Sequence, residues 1–199
     1  VDISSLSLAE PEWLVMADTL WRGPETQNGE ETGSVLWSYL DDWPHEFFLP
    51  CEHLQMLEDR LSWTDVHEWT HSNSLVYLPS QDELWLGTRL HDSLLAFDAE
   101  TGEQLWEMGG QHSDFTVDDP WSHGHFSDAW PGGVLIFDNG SHHVPPSSRV
   151  VQYDIDAQAR EATASRIWDL GGFSAFLGDA RRLPGGNILV ATGQTSTLL

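Results

Sequence analysis

Four side chains suited to binding an anion fall in two segments of the sequence: His71, Asn73, Arg89 and His125. Asn73 is two residues from His71, so the two side chains share a face if the segment is a strand. Arg89 follows 16 residues after Asn73, at the end of an apolar run. Because a guanidinium is planar, permanently charged and bidentate toward oxyanions, the pattern predicts an anion site with Arg89 as its main electrostatic contact.

Each of these residues also has a simpler interpretation. His71 and His125 could satisfy backbone groups at strand ends, and Asn73 could form a turn. Arg89 could pair with one of the many carboxylates, since the chain has 32 acidic residues and eight basic ones. These alternatives stay open at the level of residue types alone.

Metal chemistry is a further alternative, because His123-x-His125 and His142-His143 contain the residue type that zinc prefers. Neither a cysteine pair nor a His-Glu-x-x-His helix accompanies them, and Cys51 is the single cysteine. We therefore expect no metal site. Asp138-Asn139-Gly140 is expected to form a turn rather than to bind calcium.

The composition excludes several classes of partner. The net charge is -24 over 199 residues, and all eight basic residues are arginine, so nucleic acid and anionic membrane surfaces are not expected to bind. Salt screens the self-repulsion of such a surface, which favours a periplasmic or extracellular location. No apolar run reaches membrane-spanning length, and Val1-Asp2-Ile3 does not begin a signal peptide, although a secreted precursor could have lost one.

Short apolar or alternating runs separated by Gly, Pro, Asn and Asp predict an all-β chain of many short antiparallel strands. Helical spacing of leucines occurs from Cys51 to Leu61, which we expect to be a small excursion between repeats. The predicted strands are Trp13–Ala17, Val35–Tyr39, Ser74–Tyr77, Glu83–Thr88, Ser93–Asp98, Gln104–Glu107, Gly133–Asp138, Arg149–Asp154, Ser165–Leu170 and Asn187–Thr192.

The strands belong to an internal repeat. The segment that begins at Phe126 recurs from Asp179, 53 residues later, and His71 and His125 are 54 residues apart. A four-stranded unit of this length predicts a β-propeller blade, so residues 1–199 are expected to form one partial propeller of about three to four blades. Residues that open the innermost strands then converge on a central channel, and Gly178 is expected to occupy the place of His125 in the next unit.

Several segments, including those that contain the polar residues, resemble the arylsulfotransferase family of PAPS-independent enzymes. The resemblance runs from about Trp37 to the C-terminus. The segments that carry it are Trp69–Tyr77, Leu84–Arg89, Leu105–Gly110, Ser113–Phe115, His123–Gly133 and Val134–Gly140.

The resemblance implies a propeller of about six blades that moves a sulfuryl group between phenolic compounds through a histidine. It implies that His125 is the nucleophile, because His125 matches the family's histidine before a Pro-Gly turn. His71, Asn73 and Arg89 would then bind the sulfuryl oxygens. Phenols and aryl sulfates are the expected partners, and no cofactor is required.

Two departures leave the enzymatic activity open. A further histidine of the family, in the preceding blade, is absent from the 199 residues. The chain is also too short for the full propeller, and a blade pattern is interrupted at its C-terminus, so we expect the remaining blades to come from missing parts of the same chain. The alternative function is a non-catalytic propeller that serves as a binding or structural module, and a hydrolase lies between the two.

Overall fold

The computed structural model describes residues 70–193 and three earlier strands, β1 (Glu12–Met16), β2 (Thr19–Gln27) and β3 (Glu30–Ser38). All regular elements in these described residues are strands. The segment Cys51–Leu61, predicted as a helical excursion, lies outside them. The other strands are β4 (Ser72–Leu78), β5 (Glu83–Thr88), β6 (Ser93–Asp98), β7 (Gln104–Gly109), β8 (Thr116–Val117), β9 (His125–Trp130), β10 (Gly133–Asp138), β11 (Ser148–Asp156), β12 (Glu161–Gly172), β13 (Asp179–Arg182) and β14 (Ile188–Ala191).

The strands form successive antiparallel meanders. One sheet contains β1, β2 and β3, the next contains β4 to β7 in chain order, and a third contains β9 to β12 with β8 added in parallel to β12. The last described sheet is the hairpin β13-β14. Within the described residues the chain is therefore all-β, as predicted, and no helix there is long and apolar enough to cross a membrane.

Equivalent turns in the second and third sheets use the same side-chain chemistry. Asp98 Oδ1 accepts hydrogen bonds from the backbone of Glu100 (3.1 Å) and Thr101 (2.7 Å) after β6. Asp156 Oδ1 does the same for Gln158 (3.0 Å) and Ala159 after β11. Aspartate closes both turns because its short side chain can bond to backbone two or three residues ahead.

Neighbouring sheets meet through their first strands. β1 packs against β4, β4 against β9, and β9 against β13. This is the relation between the innermost strands of adjacent propeller blades, so the arrangement is consistent with an incomplete propeller. The starts of β4 and β9 consequently lie side by side.

The core lies between the sheets, and β10 contributes to two parts of it. Val134 and Ile136 belong to an aromatic-rich cluster between the second and third sheets, whereas Leu135 and Phe137 belong to a cluster against β13 and β14. Successive strand residues point to opposite faces, so a fully apolar strand is buried on both sides. Edge-on aromatic pairs such as Trp85–Trp106, with ring centroids 5.0 Å apart, fill the first cluster.

Candidate active site

His125 is the first residue of β9 and is almost fully buried, with 8% of its surface exposed. Its Nδ1 lies 2.7 Å from Asn139 Oδ1. Asn139 directly follows β10, the strand that pairs with β9. The antiparallel register places His125 opposite Phe137, so the end of β10 brings Asn139 to the imidazole.

Asn139 is fully buried and holds the segment between β12 and β13. Its Nδ2 donates to the carbonyl oxygens of Ser174 at 2.6 Å and Leu177 at 3.0 Å. Ser148 supports the same segment, because its hydroxyl donates to the Asn139 carbonyl at 2.8 Å and accepts from the Ser174 N–H at 2.8 Å. Residues 174–177 therefore form a wall anchored beside His125.

Arg89 reaches the same wall from the second sheet. It follows β5, is 7% exposed, and donates through Nη2 to the Ala175 carbonyl at 3.1 Å. Its guanidinium carbon lies 5.7 Å from the centre of the exposed Phe176 ring. A cation and an aromatic surface thus stand together at the wall, within the range of cation–π attraction.

His71 and Asn73 stand at the start of β4. The His71 carbonyl accepts the Arg89 N–H at 3.3 Å, which fixes the backbone of the arginine. Asn73 Nδ2 donates to the Gly124 carbonyl at 3.1 Å, across the boundary between the sheets and one residue before His125. The structure accordingly brings all four predicted residues to the same end of the β4 and β9 strands.

The environment keeps His125 neutral. Burial is the main reason that the His125 pKa falls to about 4, and the positive charges of Arg89 and His71 lower it further. The hydrogen bond with Asn139 and the charge of Asp179 act in the opposite direction but do not outweigh burial. The imidazole is consequently unprotonated at neutral pH and carries a lone pair.

Asp92 is a second perturbed group near Arg89. Its side chain accepts the backbone N–H of His123, just before β9. Burial raises the Asp92 pKa to about 7, against the lowering effect of the His123 N–H; the charge of Asp138 raises it further, whereas Arg89 lowers it. The carboxylate form of Asp92 is thus held in the fold at a cost in stability.

The expected equivalence of His71 and His125 is wrong by two residues. The structural equivalent of His71 is His123. Both residues have a left-handed backbone, with φ of 46° and 54°. The residues before them, Thr70 and Ser122, also accept equivalent inter-strand bonds. In the next unit Leu177 has the left-handed conformation, with φ of 60°.

It follows that Asp179, the first residue of β13, is the counterpart of His125, and that Gly178 corresponds to Gly124. The spacing between these two units is 52 residues at the strand start, from His71 to His123, rather than 54. Both inner strands also contain bulges. They fall between Ser72 and Ser74 in one strand pair and opposite Leu135–Ile136 in the other.

His123 and His142 form a separate pair of histidines. His123 Nε2 lies 3.1 Å from His142 Nε2, with the rings edge to face. Among the residues that the structure describes, no group of three or more His, Cys, Asp or Glu side chains is placed to hold a metal ion.

Sequence reasoning missed Asn139 and the wall that it anchors. The prediction of a turn at Asp138-Asn139-Gly140 is confirmed, since Gly140 has φ of 68° and its N–H donates to Asp138 Oδ1 at 2.8 Å. The Phe-Asp-Asn-Gly segment was visible as part of the family resemblance. Its asparagine could have been singled out as a site residue on that ground alone.

Comparison with known families agrees with the resemblance. Residues 31–198 match the family model described as Arylsulfotransferase (ASST). No curated protein matches the chain in sequence.

Proposed function

Because this chain belongs to the arylsulfotransferase family, we propose that it transfers a sulfuryl group from an aryl sulfate to a phenol through a covalent intermediate on His125. The observation that carries the proposal is a neutral imidazole whose pKa is held low by burial first and by Arg89 and His71 second. An imidazole must be unprotonated to attack, and a nearby guanidinium suits an anionic group.

The chemistry has two steps. In the first, the lone pair of one imidazole nitrogen attacks sulfur, the bond from sulfur to the aryl oxygen breaks, and the phenolate leaves with the electron pair. In the second, the oxygen of an acceptor phenol attacks sulfur, the nitrogen–sulfur bond breaks, and its electrons return to the imidazole. The phenol proton is released to solvent, so the protein ends each cycle unchanged.

Arg89 is placed to stabilise the charge on the sulfuryl oxygens. A guanidinium has five N–H donors, and it keeps its charge at every relevant pH. The exposed Phe176 ring beside it offers an aromatic surface for the aryl part of the donor. In transition states of this kind, positioning and preorganised charge supply most of the acceleration.

His71 and Asn73 support the site from the second sheet. The charge of His71 acts on His125, and its carbonyl fixes the Arg89 backbone. Asn73 ties β4 to Gly124, so it controls the distance between the arginine-bearing sheet and the histidine-bearing sheet. We propose that both contribute to holding the sulfuryl group over His125.

The test is turnover of a chromogenic aryl sulfate with and without an acceptor phenol. We expect steady colour release only with the acceptor, and none from His125→Ala. His112→Ala is the matched control, because His112 is an exposed histidine that follows β7, the last strand of its sheet. Equal release without acceptor would identify a hydrolase instead, and undiminished turnover in His125→Ala would remove His125 from the mechanism.

A further inference from the structure

Asn139 is oriented by its neighbours in only one way. Backbone carbonyl oxygens accept hydrogen bonds and cannot donate them. The two carbonyls of Ser174 and Leu177 therefore require the amide nitrogen of Asn139 on their side. The amide oxygen must then face His125, where the distance to Nδ1 is 2.7 Å.

An acceptor at this position decides where the imidazole hydrogen sits. A neutral imidazole has one N–H, and the nitrogen opposite an amide oxygen must be the one that carries it. Asn139 and Ser174 are both buried, so water cannot readily replace the missing bond if the hydrogen moves to the other nitrogen.

We propose that Asn139 is a positioning residue that holds His125 as the tautomer with hydrogen on Nδ1, so that Nε2 carries the lone pair and takes the sulfuryl group. The second half of this statement rests on the proposed function. The first half is a property of the resting protein and holds whether or not sulfuryl transfer occurs.

A neutral amide suits this role better than a carboxylate. When Nε2 bonds to sulfur, the ring becomes positive and its Nδ1–H must stay in place, because the protonated ring is the better leaving group for the return step. An amide oxygen accepts the hydrogen bond without taking the proton. A carboxylate would stabilise the protonated resting histidine and raise its pKa, which would remove the nucleophile near neutral pH.

The experiment is a long-range ¹H–¹⁵N correlation spectrum of the protein labelled at histidine, which distinguishes the two neutral tautomers. The His125 signal is assigned from its loss in His125→Gln. At pH 7 we expect the wild-type His125 to show hydrogen on Nδ1. A wild-type spectrum with hydrogen on Nε2 would overturn the proposal without any need for a variant at position 139.

Three substitutions separate positioning from general support. In Asn139→Ala the hydrogen should move wholly or partly to Nε2, and kcat should fall by about 10- to 100-fold, as is typical when the residue that orients a functional histidine is removed. Asn139→Asp should keep the hydrogen on Nδ1. It should also raise the His125 pKa, so the rate should begin to fall at a higher pH as the solution is acidified. Ser148→Ala removes two hydrogen bonds that support the same wall. It should leave unchanged both the His125 tautomer and the pH at which the rate falls.

The outcomes distinguish this inference from the proposed function. Retention of hydrogen on Nδ1 in Asn139→Ala, or a change of tautomer in Ser148→Ala, would refute the role of Asn139. The expected wild-type spectrum in a protein that forms no sulfuryl intermediate would instead refute the proposed function and leave the tautomer assignment standing.

Discussion

The low pKa of His125 leads to a sharp prediction for the rate of sulfuryl transfer below pH 7. An ordinary histidine has a pKa of about 6.5 and is only about 3% neutral at pH 5. With its pKa lowered to about 4, His125 is about 90% neutral at the same pH. Sulfuryl transfer to the protein should therefore be nearly as fast at pH 5 as at pH 7 and should decline only near pH 4.

The assay follows the donor half-reaction alone. A burst of released phenol, quenched at short times without acceptor, reports attack by His125 and avoids the ionisation of an acceptor phenol. The aryl sulfate itself stays anionic throughout. A decline centred near pH 6.5 would show that burial and the Arg89 charge do not act on His125 as the structure indicates.

Two neighbours should move this decline in opposite directions. Arg89 lowers the His125 pKa and Asp179 raises it. Arg89→Gln should thus shift the decline to higher pH, whereas Asp179→Asn should shift it to lower pH. The position of the decline is compared and not its height, because Arg89→Gln also weakens substrate binding. Shifts of the same sign would contradict the electrostatic account.

The same pKa values govern stability. The His125 pKa is lower in the folded state, so the unfolded chain binds more protons between about pH 4 and 6.5, and the free energy of unfolding falls as the pH is lowered through that range. The contribution of Asp92 to the free energy of unfolding changes with pH in the opposite direction. Its folded pKa is raised to about 7, so its unfavourable contribution grows as the pH rises from about 4 to 7.

The other predictions concern Asp92, Arg89 and the surface. Asp92→Asn keeps an acceptor for the His123 N–H and removes a partly buried charge, so it should raise the free energy of unfolding by roughly 2–4 kcal/mol at pH 8 and less at pH 5, as measured by urea denaturation. An equal effect at both pH values would contradict the burial argument. Arg89→Lys should keep the charge but lose the planar fork, and kcat/KM should fall by about 10²- to 10³-fold, which activity close to wild type would refute. With a net charge of -24, the thermal midpoint should rise with added sodium chloride, whereas a flat or falling trend would show that the surface repulsion is already offset.

Much of the fold was predictable because strands buried on both faces are continuous apolar runs in the sequence. The predicted strands Glu83–Thr88, Ser93–Asp98 and Gly133–Asp138 coincide with β5, β6 and β10, which are buried on both faces. β9 and β13 were not among the predicted strands. They are short inner strands that carry polar residues such as Asp128 and Arg181, so hydrophobic alternation is weak.

The site was only partly predictable for a related reason. His71, Asn73, Arg89 and His125 stand close to strand starts or ends, and residue type and spacing indicated them. Asn139 instead acts through Ser174 and Leu177, which lie 35 and 38 residues later in the chain. No local pattern encodes such a contact, and the spacing of the two histidines did not show that His71 corresponds to His123 rather than to His125.

The central claim is that His125 carries the sulfuryl group, and mass spectrometry tests it most directly. The protein is mixed with an aryl sulfate donor without acceptor, quenched rapidly without acid, and analysed intact and as peptides. We expect one sulfuryl adduct on the peptide that contains His125, absent from His125→Ala and discharged when a phenol is added. An adduct on another residue, or transfer to the phenol with no adduct at any time, would contradict the account.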